Sequence, residues 1–332
     1  MRYLIIICFL LTRCQCLINL KGDHLSKFVV KMIEGESLLT TINREISANV
    51  GRSFKGNYES SGMGGGGGAS VGVIKDPSTN EAFFYKSSGL MGYNMLQAEY
   101  IGIKEMYDTH TIRVPKPICY GTSSSNSYVV FERLSLGGVG SSKRYAEELA
   151  AMHKKTSDNG CYGFHINNTI GATFQPNTWE TSWAEFYDKH RLGHMFTLCR
   201  RDGLVFTHET LLRKRVYNLL AQHPCVPSLV HGDLWSGNQA YTKEGDPVIF
   251  DPATYYGDRE VDIAMTKLFG SNSKAFYEAY DTVFPRPEGW ELREIIYNLY
   301  HILNHYVLFG GGYGTQAGRM VDQIIAATTD ND

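Results

Sequence analysis

An α+β chain folded as two lobes, a small β-rich one followed by a larger and mainly helical one, is predicted by three features of the sequence. Short apolar and aromatic runs bounded by turn residues crowd the stretch before residue 132. From residue 141 onward the apolar residues recur instead at helical spacing. Between the two lies Glu132-Arg133-Leu134-Ser135-Leu136-Gly137-Gly138, a polar and glycine-bearing stretch that suits a hinge.

In chain order, residues 22–50 carry Phe28, Val29, Met32 and Ile33 at helical spacing, which predicts a helix ahead of the first lobe. Ser53 to Tyr58 reads as a short strand. A glycine run follows from Gly62 to Ser70, containing Gly65, Gly66 and Gly67. Glycine lets backbone amides approach a phosphate closely, so a run between two strands could cover a nucleotide's phosphates, although five consecutive glycines also describe a flexible linker. No Gly-Lys-Ser/Thr closes it, so it is not a Walker A loop. Val71 to Ile74 and Ala82 to Lys86 read as the next two strands, joined by a turn at Asp76-Pro77-Ser78-Thr79-Asn80. Met95 to Ile103 is helical in pattern, Val114-Pro115-Lys116-Pro117 breaks the chain, and Tyr128 to Phe131 is a buried strand.

Beyond the hinge, Ser141 or Ser142 can cap a helix with Ala146, Leu149, Ala150 and His153 on one side. Trp183, Phe186, Tyr187, His190 and His194 recur at helical spacing and read as core packing. Ile295, Leu299, Ile302, Leu303 and Tyr306 form one face of a long helix near the end of the chain. The organisation expected is a targeting segment over 1–16, an extension over 17–44, the small lobe over 45–132 and the large lobe over 133–332.

At 332 residues the chain fits one large or two medium domains, and 43% hydrophobic residues with 20% charged ones suffice for a full core. A net charge of −2 gives no basis for a nucleic-acid partner or for stable membrane association. The seven cysteines are odd in number and widely spaced, which does not describe a disulfide framework. Met1-Arg2-Tyr3 followed by the apolar block Leu4–Leu11 and the polar Thr12-Arg13-Cys14-Gln15-Cys16 has signal-peptide architecture and is too short to span a bilayer. Together with the sequon at Asn167-Asn168-Thr169 it points to a secretory or organellar route.

The chemistry is concentrated in residues 229–252. Phosphoryl transfer needs an acid beside the attacking hydroxyl and oxygen ligands that hold Mg²⁺ on the nucleotide phosphates. His231-Gly232-Asp233, with Asn238 five positions after the Asp, has the H-x-D-x-x-x-x-N spacing of a kinase catalytic loop. Val248-Ile249-Phe250 reads as a short buried strand ending at Asp251, and Lys243-Glu244-Gly245-Asp246 as the turn before it. A hairpin there brings Asn238 and Asp251 to one metal site. Lys86, ending an aromatic strand, is where a kinase places its phosphate-contacting lysine, and Glu99 on the following helix is positioned to pair with it. The backbone of the hinge, around Glu132 and Leu134, would meet an adenine edge.

His231 to Asn238, with Trp235-Ser236-Gly237 inside it, resembles the fructosamine kinase (ketosamine-3-kinase) family of protein-kinase-like small-molecule kinases. So does Val248 to Glu260, which includes Asp251-Pro252-Ala253-Thr254-Tyr255-Tyr256-Gly257-Asp258. Tyr162 to Ala172, Gln175 to Trp179, Leu299 to His305 and Phe309 to Tyr313 extend the resemblance over residues 45–325. It implies a protein-kinase-like fold and an ATP- and Mg²⁺-dependent kinase acting on the sugar 3-hydroxyl of ketosamines on lysine or on free glycated amines. It further implies Asp233 as catalytic base, Asn238 and Asp251 as Mg²⁺ ligands, and Lys86 with Glu99 on the phosphates. Asp262 would be a brace for the catalytic loop, and Trp235 and His305 candidates for the sugar pocket. The family is mostly cytosolic, against the look of residues 1–16. The glycine run is longer than the family's usual strand-turn-strand.

Two rivals share parts of this pattern. A choline- or aminoglycoside-type phosphotransferase has the same Asp, Asn and Asp but would lack the Trp-Ser-Gly insert and the Asn304-His305 helix. A pseudokinase or binding module would keep the fold, yet Lys86, Glu99, Asp233, Asn238 and Asp251 are all present.

Overall fold

The structure, a computed structural model, describes residues 36–64 and 69–328. The expected targeting segment, most of the extension, and Gly65, Gly66 and Gly67 lie outside the described residues.

The small lobe opens with α1 (Leu38–Val50), capped at its N-terminus by Ser37, whose hydroxyl accepts from the Thr40 amide. Five strands follow with one helix among them: β1 (Asn57–Gly64), β2 (Ser70–Lys75), β3 (Ala82–Gly89), α2 (Tyr93–Tyr107), β4 (Pro117–Thr122) and β5 (Asn126–Glu132). They form one antiparallel sheet in the order β1-β2-β3-β5-β4. Side chains alternate across a strand, and that alternation sorts the lobe. Phe83 and Tyr85 of β3, with Tyr128 and Val130 of β5, join Ile42 and Ile46 of α1 in one core. Phe84, Val129 and Phe131 point the other way, into a core shared with Leu96, Ile103 and Met106 of α2. Lys86 follows the parity of Phe84 and so faces α2. Because Ile42 and Ile46 bury together, α1 runs across the expected boundary at 44/45. β4 was not expected: Pro117 opens it, and its register shifts between Pro117 and Cys119.

The large lobe contains α3 (Ser142–His153), capped by Ser141, and the hairpin of β6 (Asn168–Ile170) and β7 (Thr173–Gln175). Then come α4 (Trp183–Tyr187), a π-helical turn over Asp188–Gly193, α5 (His194–Arg201) and α6 (Glu209–Ala221). β8 (Ser228–Val230) leads into the catalytic-loop motif. The hairpin of β9 (Gln239–Tyr241) and β10 (Pro247–Ile249) follows it, and β11 (Tyr255–Gly257) pairs back with β8. Four helices complete the chain: α7 (Glu260–Leu268), α8 (Lys274–Val283), α9 (Trp290–Phe309) and α10 (Gly312–Ala327).

Of the five residues read as core, Trp183, Phe186 and Tyr187 pack with Tyr297 and Tyr300 of α9, whereas His190 and His194 are half-buried, bonded to Glu180 and to the Phe174 carbonyl oxygen. Leu229, Leu234 and Ile249 belong to the same apolar cluster as α2, so the hydrophobic core runs continuously beneath the cleft between the lobes. No helix among the described residues is long and apolar enough to cross a membrane.

Candidate active site

The loop after β8 owes its shape to one buried acid. Asp262, in the first turn of α7, accepts from the amides of His231 at 2.7 Å and Gly232 at 2.8 Å and from His153 Nε2 at 3.0 Å. His153 is fixed in turn by Tyr280, whose hydroxyl lies 2.6 Å from Nδ1. Burial works against this carboxylate, but those donors hold it below the usual range. Gly232 takes φ +81°, and a Cβ there would lie 2.3 Å from the Ala253 carbonyl oxygen, so no other residue fits. His231 is fully buried, with Nε2 at 2.9 Å from the Phe250 carbonyl oxygen and Nδ1 accepting from the Asp233 amide. Its ring is a strut between the two halves of the motif.

The β9–β10 hairpin does what the spacing of Asn238 and Asp251 required. Asn238 Nδ2 donates to the Asp233 backbone oxygen at 2.9 Å, to Asp233 Oδ2 at 3.2 Å and to the Asp251 backbone oxygen at 3.3 Å. The amide nitrogen is therefore spent on the loop, and no hydrogen bond among the described residues engages Oδ1. Asp251 adopts φ +58°, a left-handed conformation uncommon outside glycine, which turns its carboxylate back toward Asp233. Burial, and then the nearby Asp251 charge, push the Asp233 carboxyl up to about 7.

From the small lobe, Lys86 Nζ reaches Glu99 Oε1 at 2.9 Å and Asp251 Oδ1 at 2.7 Å. Burial alone would lower the ammonium's pKa, but the two carboxylates reverse that and keep it above its ordinary value. β3 thus contacts α2 on its own sheet and the large lobe across the cleft.

Lys86, Glu99, Asp233, Trp235, Asn238 and Asp251 all line one cleft of about 370 Å³, walled on the remaining sides by Met95, Thr169 and Gly171. Trp235 is 39% exposed at its edge. Glu132 and Leu134 lie in an adjoining, mostly apolar cavity of about 300 Å³ that shares Glu99 and Asp251 with the cleft and is floored by Val73, Phe84 and Phe131. The Glu132 side chain is committed to Arg113 at 2.9 Å, which leaves backbone and apolar groups to meet a planar ring.

His305 is elsewhere. It is not among the cleft's lining residues; it packs against Phe269, Phe309 and Tyr313, with Nδ1 on the His301 carbonyl oxygen. The Phe269 carbonyl oxygen accepts from the Ser236 hydroxyl of the catalytic loop, so His305 stands behind that residue's ring rather than in the cleft.

Thr169 and Gly171, inside the Tyr162–Ala172 motif, wall the cleft, a role that no spacing in the sequence signals. That wall is held by a buried amide network. Asn168 Nδ2 donates to the Thr254 carbonyl oxygen at 2.8 Å, and its Oδ1 accepts from Gln175 and Asn177, each at 2.8 Å. The fully buried Arg191 donates to Asn177 Oδ1 and lies 4.0 Å from the Tyr255 ring centroid. The density of Asn and Gln in that stretch was the available signal. Asn167 of the sequon is exposed and lines a second cavity of about 590 Å³ that shares Met95, Asn168 and Thr169 with the cleft.

The arrangement gathers two carboxylates, an amide oxygen and a lysine in one cleft, the lysine in contact with Asp251. Hard oxygen donors of this kind suit Mg²⁺ rather than a thiophilic metal, and a dication between Asp233 and Asp251 would relieve the repulsion that raises Asp233.

A profile of the fructosamine kinase family matches residues 38–327. A protein of Synechocystis described as a probable ketoamine kinase is 44% identical over 287 residues, covering 86% of this chain and 96% of its own. The chloroplastic protein-ribulosamine 3-kinase of Arabidopsis thaliana is 39% identical over 269 residues, covering 79% of this chain and 82% of its own. Among solved structures, a protein of Haemophilus somnus provisionally named a fructosamine-3-kinase superposes with a TM-score of 0.78 at 28% identity. That match covers 85% of this chain and 96% of the other.

Proposed function

The chain belongs to the fructosamine kinase family and is an ATP-dependent phosphotransferase with a hydroxyl acceptor, and we propose that its acceptor is the 3-hydroxyl of a ketosamine sugar on a glycated amine. Ribulosamine, erythrulosamine and fructosamine adducts of lysine are the candidate acceptors within that class. The observation that carries this reading is the convergence of Lys86, Glu99, Asp233, Asn238 and Asp251 on one cleft in a chain of this family. Neither a choline- or aminoglycoside-type kinase nor an inactive relative accounts for both facts.

In this reading adenine occupies the cavity beside Glu132 and Leu134, Lys86 contacts the phosphates, and Glu99 keeps Lys86 in place. Asp251 and Asn238 hold Mg²⁺, which neutralises phosphate charge when bound with the nucleotide. Asp233, lining the cleft and held by the Asn238 amide, accepts the sugar hydroxyl's proton. Trp235 gives the sugar an apolar wall. For Gly65, Gly66 and Gly67 the proposed phosphate contact rests on the sequence alone, where glycine amides can approach phosphate oxygens.

The product explains the usefulness of the reaction. A phosphate on C3 lies next to the C2 carbonyl; enolisation toward C1 expels it, because phosphate leaves far more readily than hydroxide. Water then releases the amine, and the sugar departs as a deoxydicarbonyl. A kinase alone thus restores the lysine.

Mass spectrometry of a ribulosamine-modified peptide incubated with enzyme and ATP tests the proposal. The adduct should gain one phosphate and then disappear to give the unmodified peptide. A stable phosphorylated adduct, or no gain of phosphate, overturns it. Residues 1–16 would direct the chain out of the cytosol: a reporter fused to them should leave it, and mature protein should begin near Leu17. Recovery of intact Met1 from the native source would end that part of the proposal.

A further inference from the structure

At the start of α7, apart from the cleft, three residues of different chemistry meet. An imidazole nitrogen of His223, the thiol of Cys225 and a carboxylate oxygen of Asp258 lie within 4.8 Å of one another. His223 and Cys225 sit two residues apart on the loop after α6, and Asp258 follows β11. The side chains of His223 and Asp258 are each only 2% exposed. Asp258 already has donors: His223 Nε2 at 2.8 Å, the Tyr297 hydroxyl at 2.6 Å and the Glu260 amide at 3.1 Å. His223 Nε2 and the Asp258 carboxylate thus share one proton, and an ion bound by both would take that proton's place.

A second observation is independent of that cluster. His223 Nδ1 and Ser228 Oγ are buried and have no hydrogen-bond partner among the described residues. Both residues line the same cavity of about 150 Å³, along with Cys225 and Asp258. Buried polar atoms are nearly always satisfied, so two orphans on residues around one small cavity mark a place where the chain leaves polar groups without a partner of its own. The cavity shares no lining residue with the cleft and has Val226, 48% exposed, at its rim.

We propose that His223, Cys225 and Asp258 form a binding site for one thiophilic divalent cation of the zinc class. Thiolate and imidazole favour such an ion over Mg²⁺ or Ca²⁺, and three protein ligands with one position left for water is a common zinc arrangement. Binding releases the thiol proton to solvent, and the imidazole binds as the neutral ring. The ion would tie the loop after α6 to the first turn of α7, the helix whose Asp262 holds the His231 and Gly232 amides.

The test uses the full chain stripped with a chelator and kept in saturating Mg²⁺, so that the cleft does not compete. Co²⁺ should bind one equivalent at this site and give a thiolate-to-metal charge-transfer band that Zn²⁺ abolishes by displacement. Cys225→Ser should lose the band, and His223→Gln should weaken binding at least ~10-fold. A Cys14→Ser/Cys16→Ser double variant should keep the band, which excludes those thiols. In the unaltered chain, needing no variant to fold, Zn²⁺ should slow alkylation of Cys225 but not of Cys161. An unchanged band in Cys225→Ser, no saturable binding, or equal labelling of Cys225 with and without Zn²⁺ overturns the proposal and leaves the cavity to water.

Discussion

Lys86 Nζ lies 2.7 Å from Asp251 Oδ1 and 2.9 Å from Glu99 Oε1, so one ammonium joins β3 and α2 of the small lobe to the segment just after β10 in the large one. Replacing it with Met should leave the fold intact, since the stem still packs, but should lower kcat/KM by roughly 10²–10³-fold, the scale for one preorganised electrostatic donor. Lys86→Arg should not restore activity, because a planar fork cannot replace a point charge held between two carboxylates. Steady-state kinetics on the two variants decides this; near-normal turnover in either removes Lys86 from phosphate contact.

The metal ligands should rank unequally. Asp251→Ala should abolish turnover at every Mg²⁺ concentration, because Mg²⁺ depends on one or two carboxylates plus the phosphates. Asn238→Ala should recover part of its activity at high Mg²⁺, since a neutral amide contributes less. Equal rescue of both variants in a Mg²⁺ titration contradicts the assignment.

Asp262 should matter for stability as much as for rate. Asp262→Ala strips acceptors from the His231 and Gly232 amides and from His153, all buried, at about 1–3 kcal/mol for each group left unsatisfied. Urea unfolding should show a loss of about 3 kcal/mol or more. An unchanged midpoint would mean that the loop holds its shape without the brace.

Acid should weaken the fold through His301. Burial first, and the neighbouring His305 second, push its imidazole down to about 3 from a usual 6.5. Between those values the unfolded chain takes up a proton that the folded chain does not. The stability tied to this residue is therefore complete above pH ~6.5 and declines as pH falls toward 3, at up to about 1.4 kcal/mol per pH unit. His301→Asn should flatten the pH dependence of unfolding in that window. The same slope in variant and parent rules the histidine out.

What could be read in the sequence was local. The loop from His231 to Asn238, the hairpin returning at Asp251, the Ser141 cap and the alternation in β3 and β5 each rest on spacing within a short stretch. What could not be read depends on contacts between distant residues. Lys86 and Asp251 are 165 positions apart, and no periodicity reports that they touch. The Asn168–Gln175–Asn177 network shapes the cleft wall by hydrogen bonds to Thr254 and Arg191. His305 carries a motif residue's identity, yet the turn of α9 places it on Phe269 and Tyr313. β4 was hidden by the prolines at its start, which read as a break.

The central claim, that Asp233 in this cleft drives phosphate transfer from ATP to a ketosamine, is tested most directly by single-turnover phosphate incorporation into ribulosamine-modified lysine by the parent chain and by Asp233→Asn. A carboxylate acting as base contributes about 10²–10⁴-fold, so the variant should transfer phosphate slower by that factor while binding ATP with little change. Near-equal incorporation by the two proteins, or none by the parent, would contradict the account.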